Sequence, residues 1–409
     1  MTSAVLAPAA PTPQLRRARV AVALSFVTNG MLVGSWAPRI PDVQRHLGLS
    51  TGALGVALLG PALGMILIAR PIGAATARYG SPRVTVVASL IFCALAWVPG
   101  VAPNLGLLAL SLLVWGMAMG TQDVAMNSQG VTVELGYGRP VLAGFHAMWS
   151  VGTFLGALEA SIAITIGAPV AAQQAVIGAV LAVGCVLGGR LFVPDPPHEA
   201  APTVAPRIRR PKAPDIRLVL LGIAAAFAML SEGSVSDWSS LLLRNHLHVT
   251  GGRISLAYIA FTICMTSGRF LGDRVVHALG RTRCLTGLAI LGAAGLGIGL
   301  ATNSLAGAVV GFALLGIGLS VMVPVLFSTA ADTNGPSGPA IAAVSGIGYV
   351  GMIAGPSVIG FVSQATGLFG ALFMIVPFAL VAGGLGISGV RLTARRKTAR
   401  AARAARAAA

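Results

Sequence analysis

Apolar residues along this chain fall into long, nearly unbroken blocks rather than into two-residue alternation or narrow helical stripes. A helix rises 1.5 Å per residue, so about 20 mostly apolar residues cross the hydrocarbon core of a bilayer. Twelve blocks reach that length, at residues 17–36, 52–76, 83–101, 105–133, 140–166, 169–192, 216–242, 252–277, 284–301, 304–331, 338–362 and 367–390. Turn-forming punctuation separates most of them: Pro99-Gly100, Pro103-Asn104, Gly167-Ala168-Pro169, Asn334-Gly335-Pro336 and Thr366-Gly367. The blocks are too long and too rich in Gly and Ala for barrel strands, which run as ~10-residue alternating segments. The pattern predicts an all-α membrane protein with twelve transmembrane helices.

One long polar stretch interrupts the interior, residues 194–215 (PDPPHEAAPTVAPRIRRPKAPD), and it parts six blocks from six. Its composition is that of a flexible linker. The halves echo each other at a spacing near 200 residues: Trp36 and Trp238, His46-Leu47 and His246-Leu247, Gly73 and Gly272, Gly80 and Gly280, Arg83 and Arg283. Gly152-x-x-x-Gly156 is matched by Gly351-x-x-x-Gly355. Such a repeat predicts two pseudo-symmetric six-helix bundles with a cavity where they meet. The organisation expected is a tail (1–16), a bundle (17–193), a linker (194–215), a second bundle (216–390) and a basic tail (391–409).

Composition excludes some functions. Hydrophobic residues make up 56% of the 409 and charged residues 10%, against about 25% charged in an ordinary soluble domain. A large soluble enzyme lacks the polar shell it would need. The net charge of +17 raises nucleic acid as a partner, but the charges are distributed by side. With the N-terminus in the cytoplasm, 24 of the 28 Lys and Arg fall on that side, leaving Arg39, Arg45, Arg244 and Arg253 opposite. This is the positive-inside pattern. It predicts a multi-pass protein of the cell (plasma or inner) membrane with both termini cytoplasmic. The basic excess then meets anionic headgroups of the lipid bilayer rather than nucleic acid. Residues 1–15 are Ala/Pro-rich, and Arg16, Arg17 and Arg19 lead into a full-length block. The first helix is therefore expected to be retained rather than cleaved as a signal peptide.

Cys93, Cys185, Cys264 and Cys284 lie in or beside the blocks without ligand spacing, so neither a disulfide framework nor a metal site is expected. Gly346-x-Gly348-x-x-Gly351 sits inside a block rather than after a strand, and no Walker motif occurs, which argues against nucleotide binding. No nucleophile–base set stands out, so no enzyme activity and no cofactor are expected. Gly60/Gly64, Gly116/Gly120 and Gly351/Gly355 predict close helix contacts. Pro61, Pro324, Pro356 and Pro377 predict kinks.

Ionisable groups inside the blocks carry the candidate chemistry, because a charge at bilayer depth costs about 2.5–3.5 kcal/mol even on the lenient scale. Asp123 and Glu134 fall in the fourth block or at its end, Glu159 and His146 in the fifth, Glu232 and Asp237 in the seventh. Asp123, Asn127, Gly130 and Glu134 lie within about 60° on a helix, forming one polar stripe. Asp123 is the leading proton or cation site, with Glu232 and His146 assisting; Gln122 and Asn127 are hydrogen-bonding candidates for solute. Glu134 reads as an interfacial charge. His146, Ser150 and Thr153 share a side of the fifth helix beside Trp149, whose ring can stack on a solute. Asn29 of the first block is a further solute contact. Against each stands a plainer role in helix packing. Glu159 points toward the Gly152 face, where it pairs with another helix or lines an outer vestibule. Glu232, Ser236 and Ser239 share a face, with Asp237 about 100° or more away, near an interface beside Trp238.

Read as the loop joining the eighth and ninth blocks, and overlapping the end of the eighth, the chain runs Gly268-Arg269-Phe270-Leu271-Gly272-Asp273-Arg274, then Gly280-Arg281-Thr282-Arg283. This resembles the loop motif of the major facilitator superfamily of transporters. The first-half copy, Arg70-Pro71-Ile72-Gly73 through Arg78-Tyr79-Gly80-Ser81-Pro82-Arg83, carries Ala77 where the family usually has Asp. The resemblance extends over residues 17–390. Trp36 with Pro38 and Pro41, the Asp123/Asn127 helix and Phe145-His146-Ala147-Met148-Trp149-Ser150 look nearest the branch related to fucose permease. It implies a conformational latch of Asp273, Arg274, Arg281 and Arg283, whose ion pairs break as the bundles rock; the plain alternative for these arginines is orientation alone.

The implied function is secondary active transport of a small solute by alternating access, proton-coupled, in a monomer. A polar-lined cavity fits a symporter importing a sugar-like or other polar solute. The Gly351, Gly355-Pro356, Gly360 series resembles the glycine-proline motif of antiporters, displaced from helix 5 to helix 11, and fits efflux of a drug or metabolite. Sugar symporters of the family often carry an acid in helix 1, and this block has none. A non-transporting sensor or scaffold is the rival from another class.

Overall fold

The computed structural model describes residues 12–139, 141–195, 215–332 and 337–408; its regular elements are α-helices and short 3-10 turns, with no strand among the described residues. Twelve helical runs are long and apolar enough to cross a membrane. Spans 1–6 are Pro13–Leu47, Thr51–Tyr79, Ser81–Val101, Leu105–Tyr137, Leu142–Thr165 and Val170–Gly189. Spans 7–12 are Ile216–Asn245, Gly251–Leu279, Arg281–Ala301, Leu305–Ala331, Pro339–Phe373 and Ile375–Ala399. Each overlies one of the apolar blocks, so the all-α, twelve-span fold is the one read from the sequence. Outer surfaces agree: Val176, Val180, Val183 and Leu187 form an apolar stripe on span 6, each more than half exposed. A stripe of this kind needs hydrocarbon against it.

Three boundaries differ from expectation, each for a local reason. Span 1 runs on through a 3-10 turn, Ala37–Arg39, into a helix, Ile40–Leu47, because Pro38 and Pro41 sit in first turns, where a missing N–H costs nothing. Gly48, at φ 61°, ends it. Residues Gly268–Arg274, expected in a loop, lie inside the helix Leu256–Leu279. Nothing in that segment breaks a helix before Gly280, and Gly268 and Gly272 face Ser320 and Val321 closely enough that a Cβ would collide. The turn at Gly367, which takes φ 73°, falls at the Thr366-Gly367 punctuation read from the sequence. The basic tail is helical: Ile375–Ala408 is continuous. Its Ala/Arg composition has high helix propensity, and Arg396 pairs with Asp215 at 2.7 Å while Lys397 pairs with Asp332 at 3.0 Å. Of the tail and linker expected at 1–16 and 194–215, residues 1–11 and 196–214 lie outside the described residues.

Contacts divide the chain into two units. The first holds the described residues up to Gly48 and from Ala57 to Asp195; the second holds Leu49–Val56 and the described residues from Asp215 onward. In the first unit, spans 1 and 5 meet backbone to backbone. A Cβ added at Gly30, Gly34, Gly152 or Gly156 would fall on the carbonyl oxygen of Trp149, Thr153, Val27 or Met31 respectively. Gly64 and Gly116 bring spans 2 and 4 together in the same way, against the carbonyls of Leu113 and Pro61. In the second unit Gly351 of span 11 sits on the Ala226 carbonyl of span 7. Only glycine permits such approach, and small residues drive association where lipid removes the hydrophobic force.

Candidate functional site

In the first unit, span 4 is the hub. Gln122 is fully buried; its Oε1 accepts from Asn29 Nδ2 at 3.1 Å, and its Nε2 donates to Ser89 Oγ at 2.9 Å and toward the Ser25 carbonyl at 3.4 Å. Trp149 Nε1 donates to Asn29 Oδ1 at 2.9 Å. Three expected solute contacts, Asn29, Gln122 and Trp149, are thus joined in one chain across spans 1, 4 and 5. The amide groups of Asn29 and Gln122 are engaged by protein. What the chain presents is the half-buried Trp149 ring, held by its indole N–H.

Asp123 lies next to this chain but outside it. Asn127 Nδ2 donates to Asp123 Oδ1 at 3.2 Å and to the Asp123 carbonyl at 2.8 Å. Both side chains are only partly covered, and no cation pairs with Asp123 among the described residues. Asp123 is therefore a carboxylate on a membrane span whose side-chain partner among the described residues is an amide on its own helix. His146 is exposed and meets the Phe26 ring edge-on, centroids 5.1 Å apart. Ser150 is buried, its hydroxyl turned to the His146 carbonyl at 3.4 Å. Its direct use as a solute contact is thereby reduced.

Two other acids of this unit are structural. Glu134 Oε2 accepts from the amides of Val141 and Leu142 at 2.7 and 2.8 Å, capping the start of span 5. Glu159 accepts from Gln173 Nε2 of span 6 at 2.7 Å, with the buried Arg39 nearby. Asp195 was not singled out by its sequence context. It receives the Ser81 amide and hydroxyl, Thr132 Oγ1 at 3.0 Å and Gln129 Nε2 at 3.3 Å. It caps span 3 and ties it to span 4. Asp195→Ala should destabilise the protein by about 0.5–2 kcal/mol, the usual worth of an N-cap. Thermal unfolding in detergent, with hydrogen exchange at residues 81–84, checks this; unchanged exchange there would count against the capping role.

In the second unit, Arg269 Nη2 of span 8 contacts both carboxylate oxygens of Glu232 on span 7, at 3.0 and 3.2 Å. Sequence reasoning counted Arg269 with the loop cations. The overlooked signal was its place four turns into an apolar block that faces an acid. Buried Tyr258 meets Ser236, with Glu232 and Asp237 close enough to influence it. Asp237 makes no hydrogen bond or ion pair with any described residue.

The four latch residues do not form one cluster. Arg281 Nη1 pairs with Asp332 at 2.6 Å. Asp273, Arg274 and Arg283 are exposed and make no ion pair among the described residues. Burial works against the Asp332 charge, yet hydrogen bonds from Arg281 and Lys397 hold its carboxyl below the ordinary range.

No family model matches the chain. It is 34% identical over 366 residues to an uncharacterised MFS-type transporter of Yersinia pestis, covering 88% of this chain and 93% of that one. It is 32% identical over 362 residues to membrane protein MosC of Rhizobium meliloti, covering 88% and 87%. Among solved structures, a bacterial homologue of the human lysosomal transporter Spinster aligns with a TM-score of 0.77 at 14% identity, over 94% of this chain and 99% of that one. The nucleoside transporter NupG aligns with a TM-score of 0.70 at 12% identity, over 92% and 99%. These two matches establish a shared fold, and the relatives above 30% identity establish more. By that similarity along nearly its whole length, and by its twelve spans, the chain belongs to the major facilitator superfamily and is a membrane transporter rather than an enzyme.

Proposed function

We propose that this transporter is a proton-coupled symporter that brings a small polar, sugar-like solute into the cell by alternating access, acting as a monomer in the cell membrane with both termini cytoplasmic. The observation that carries the reading is Asp123: a carboxylate on a span, partly open, with an amide beside it and no cation paired to it among the described residues. Such a group is costly when charged and is freed of that cost by taking a proton. Glu232 is already neutralised by Arg269, so it acts as a switchable ion pair. His146 is an exposed group on the helix that presents Trp149 and serves as the second proton relay. The Trp149 ring, oriented by Asn29, offers the stacking face that sugars favour.

The resemblance to the fucose permease branch fits this reading. The glycine series of span 11, which would otherwise point to efflux, also serves packing: Gly351 and Gly355 lie against Ala226 and Leu230 of span 7. The latch role belongs to Arg281 with Asp332, with Asp273, Arg274 and Arg283 free to pair in another state of the cycle.

The test has two stages. Purified protein is screened by thermal shift against monosaccharides, polyols and amphiphilic drugs, and the stabilising solute is then followed in proteoliposomes. Solute accumulation inside vesicles with an acidic exterior, with matching alkalinisation outside, is the expected result. Binding without flux would turn the reading to a sensor; flux driven against the imposed proton gradient would turn it to an antiporter.

A further inference from the structure

Spans 3 and 9 begin alike. Each follows a glycine in the same unusual conformation, Gly80 (φ 82°, ψ 144°) and Gly280 (φ 76°, ψ 154°), at matching positions of the repeat. The first amides of a helix have no acceptor within it, and a glycine cap supplies none. In the first unit the Asp195 carboxylate fills that place, taking the Ser81 amide and hydroxyl and flanked by Thr132 and Gln129.

The second unit reverses the charge. At the register of Ser81 stands Arg281, and at the register of Asp195 stands Arg395, followed by Arg396 and Lys397. Among the described residues no side chain accepts a hydrogen bond from the first amides of span 9. Its start opens instead on a cavity of about 460 Å³, lined by Gly280, Arg281, Thr282, Arg283, Asp332 and Lys397, with the 390–397 stretch of the C-terminal helix as its far wall. Asp332 is occupied by Arg281 and Lys397, at 2.6 and 3.0 Å. Arg283 lines the cavity with no hydrogen bond or ion pair to any described residue. Three cations thus face one carboxylate, beside uncapped helix amides.

We infer that this cavity binds a phosphate-bearing anion, seated at the start of span 9 where the first unit seats its own Asp195 carboxylate. Arg283 supplies the guanidinium fork that phosphate oxygens fit, and the helix start supplies N–H donors. Arg281 and Lys397, fixed by Asp332, add positive potential without leaving their partner. Two sources carry this chemistry: the headgroup of an anionic lipid, with chains lying along the span, and a soluble phosphate.

The test needs no transported solute, so it stands or falls apart from the transport reading. Full-length protein in detergent is melted at constant ionic strength with inorganic phosphate, with dioctanoyl phosphatidylglycerol, or with dioctanoylglycerol. A rise in Tm with either phosphate compound, absent with the glyceride and at least halved in Arg283→Ala, is expected. Phosphatidylglycerol alone acting identifies a lipid site; inorganic phosphate acting as well identifies a site open to soluble anions. No rise with either, or an equal rise in Arg283→Ala, overturns the inference. Native mass spectrometry adds a readout through the milder Arg283→Gln: wild type should retain one more phosphatidylglycerol through delipidation, and equal retention overturns a lipid site.

Discussion

Asp123→Asn is expected to abolish uptake driven by a pH gradient while leaving solute exchange across the membrane measurable. The substitution keeps shape and hydrogen-bonding to Asn127 but removes the titratable proton. A carrier that cannot change charge cannot couple to the gradient, yet it can still bind solute and reorient. Loss of a coupling proton should cost at least 100-fold in driven accumulation, about 2.7 kcal/mol of lost coupling. Counterflow and gradient-driven uptake in the same vesicles separate the two activities. Asp237→Asn is the informative control, because Asp237 on span 7 makes no hydrogen bond or ion pair with any described residue. Driven uptake that survives in Asp123→Asn and fails in Asp237→Asn would move the proton site to span 7.

The second large effect belongs to the Glu232–Arg269 pair. Arg269→Gln leaves Glu232 charged and alone on a membrane span. It should lower stability by about 2–3 kcal/mol, the lenient insertion cost of one charge tempered by the pair's partial exposure. Glu232→Gln strands the opposite charge and should cost a similar amount. The double substitution removes both charges together and should stand nearer to wild type than either single one, with a coupling energy of at least about 1 kcal/mol. Thermal unfolding of the four proteins in one detergent measures the cycle. Simple additivity would mean that the two side chains do not hold each other in solution.

The fold was legible because the bilayer imposes a single rule on length and polarity, and each of the twelve blocks obeys it. The acids were legible for the same reason: charge on a span stands out. Their partners were not, because those lie far along the chain. Gln122 looked like a solute donor until Asn29, 93 residues earlier, and Ser89, 33 residues earlier, were seen to engage its amide. Arg269 was hidden by a motif that grouped it with loop cations, although helical continuity to Leu279 places it in the span. Asp195 was hidden by the polar stretch around it, whose composition says linker and says nothing of a cap. Helix ends misled in one direction, since an Ala/Arg run carries no stop signal and the last helix continues to Ala408.

The glycine seam between spans 1 and 5 limits how the molecule can work. Backbones in contact at four levels leave no side-chain layer to slide or ratchet, so the two helices travel as one strut. Asn29 adjoins Gly30, Trp149 supplies the carbonyl that Gly30 meets, and the two side chains are hydrogen-bonded across this seam. On the function proposed above, the Trp149 ring is a fixed platform, and the work of exposing it to either side of the membrane falls to hinges elsewhere in the chain.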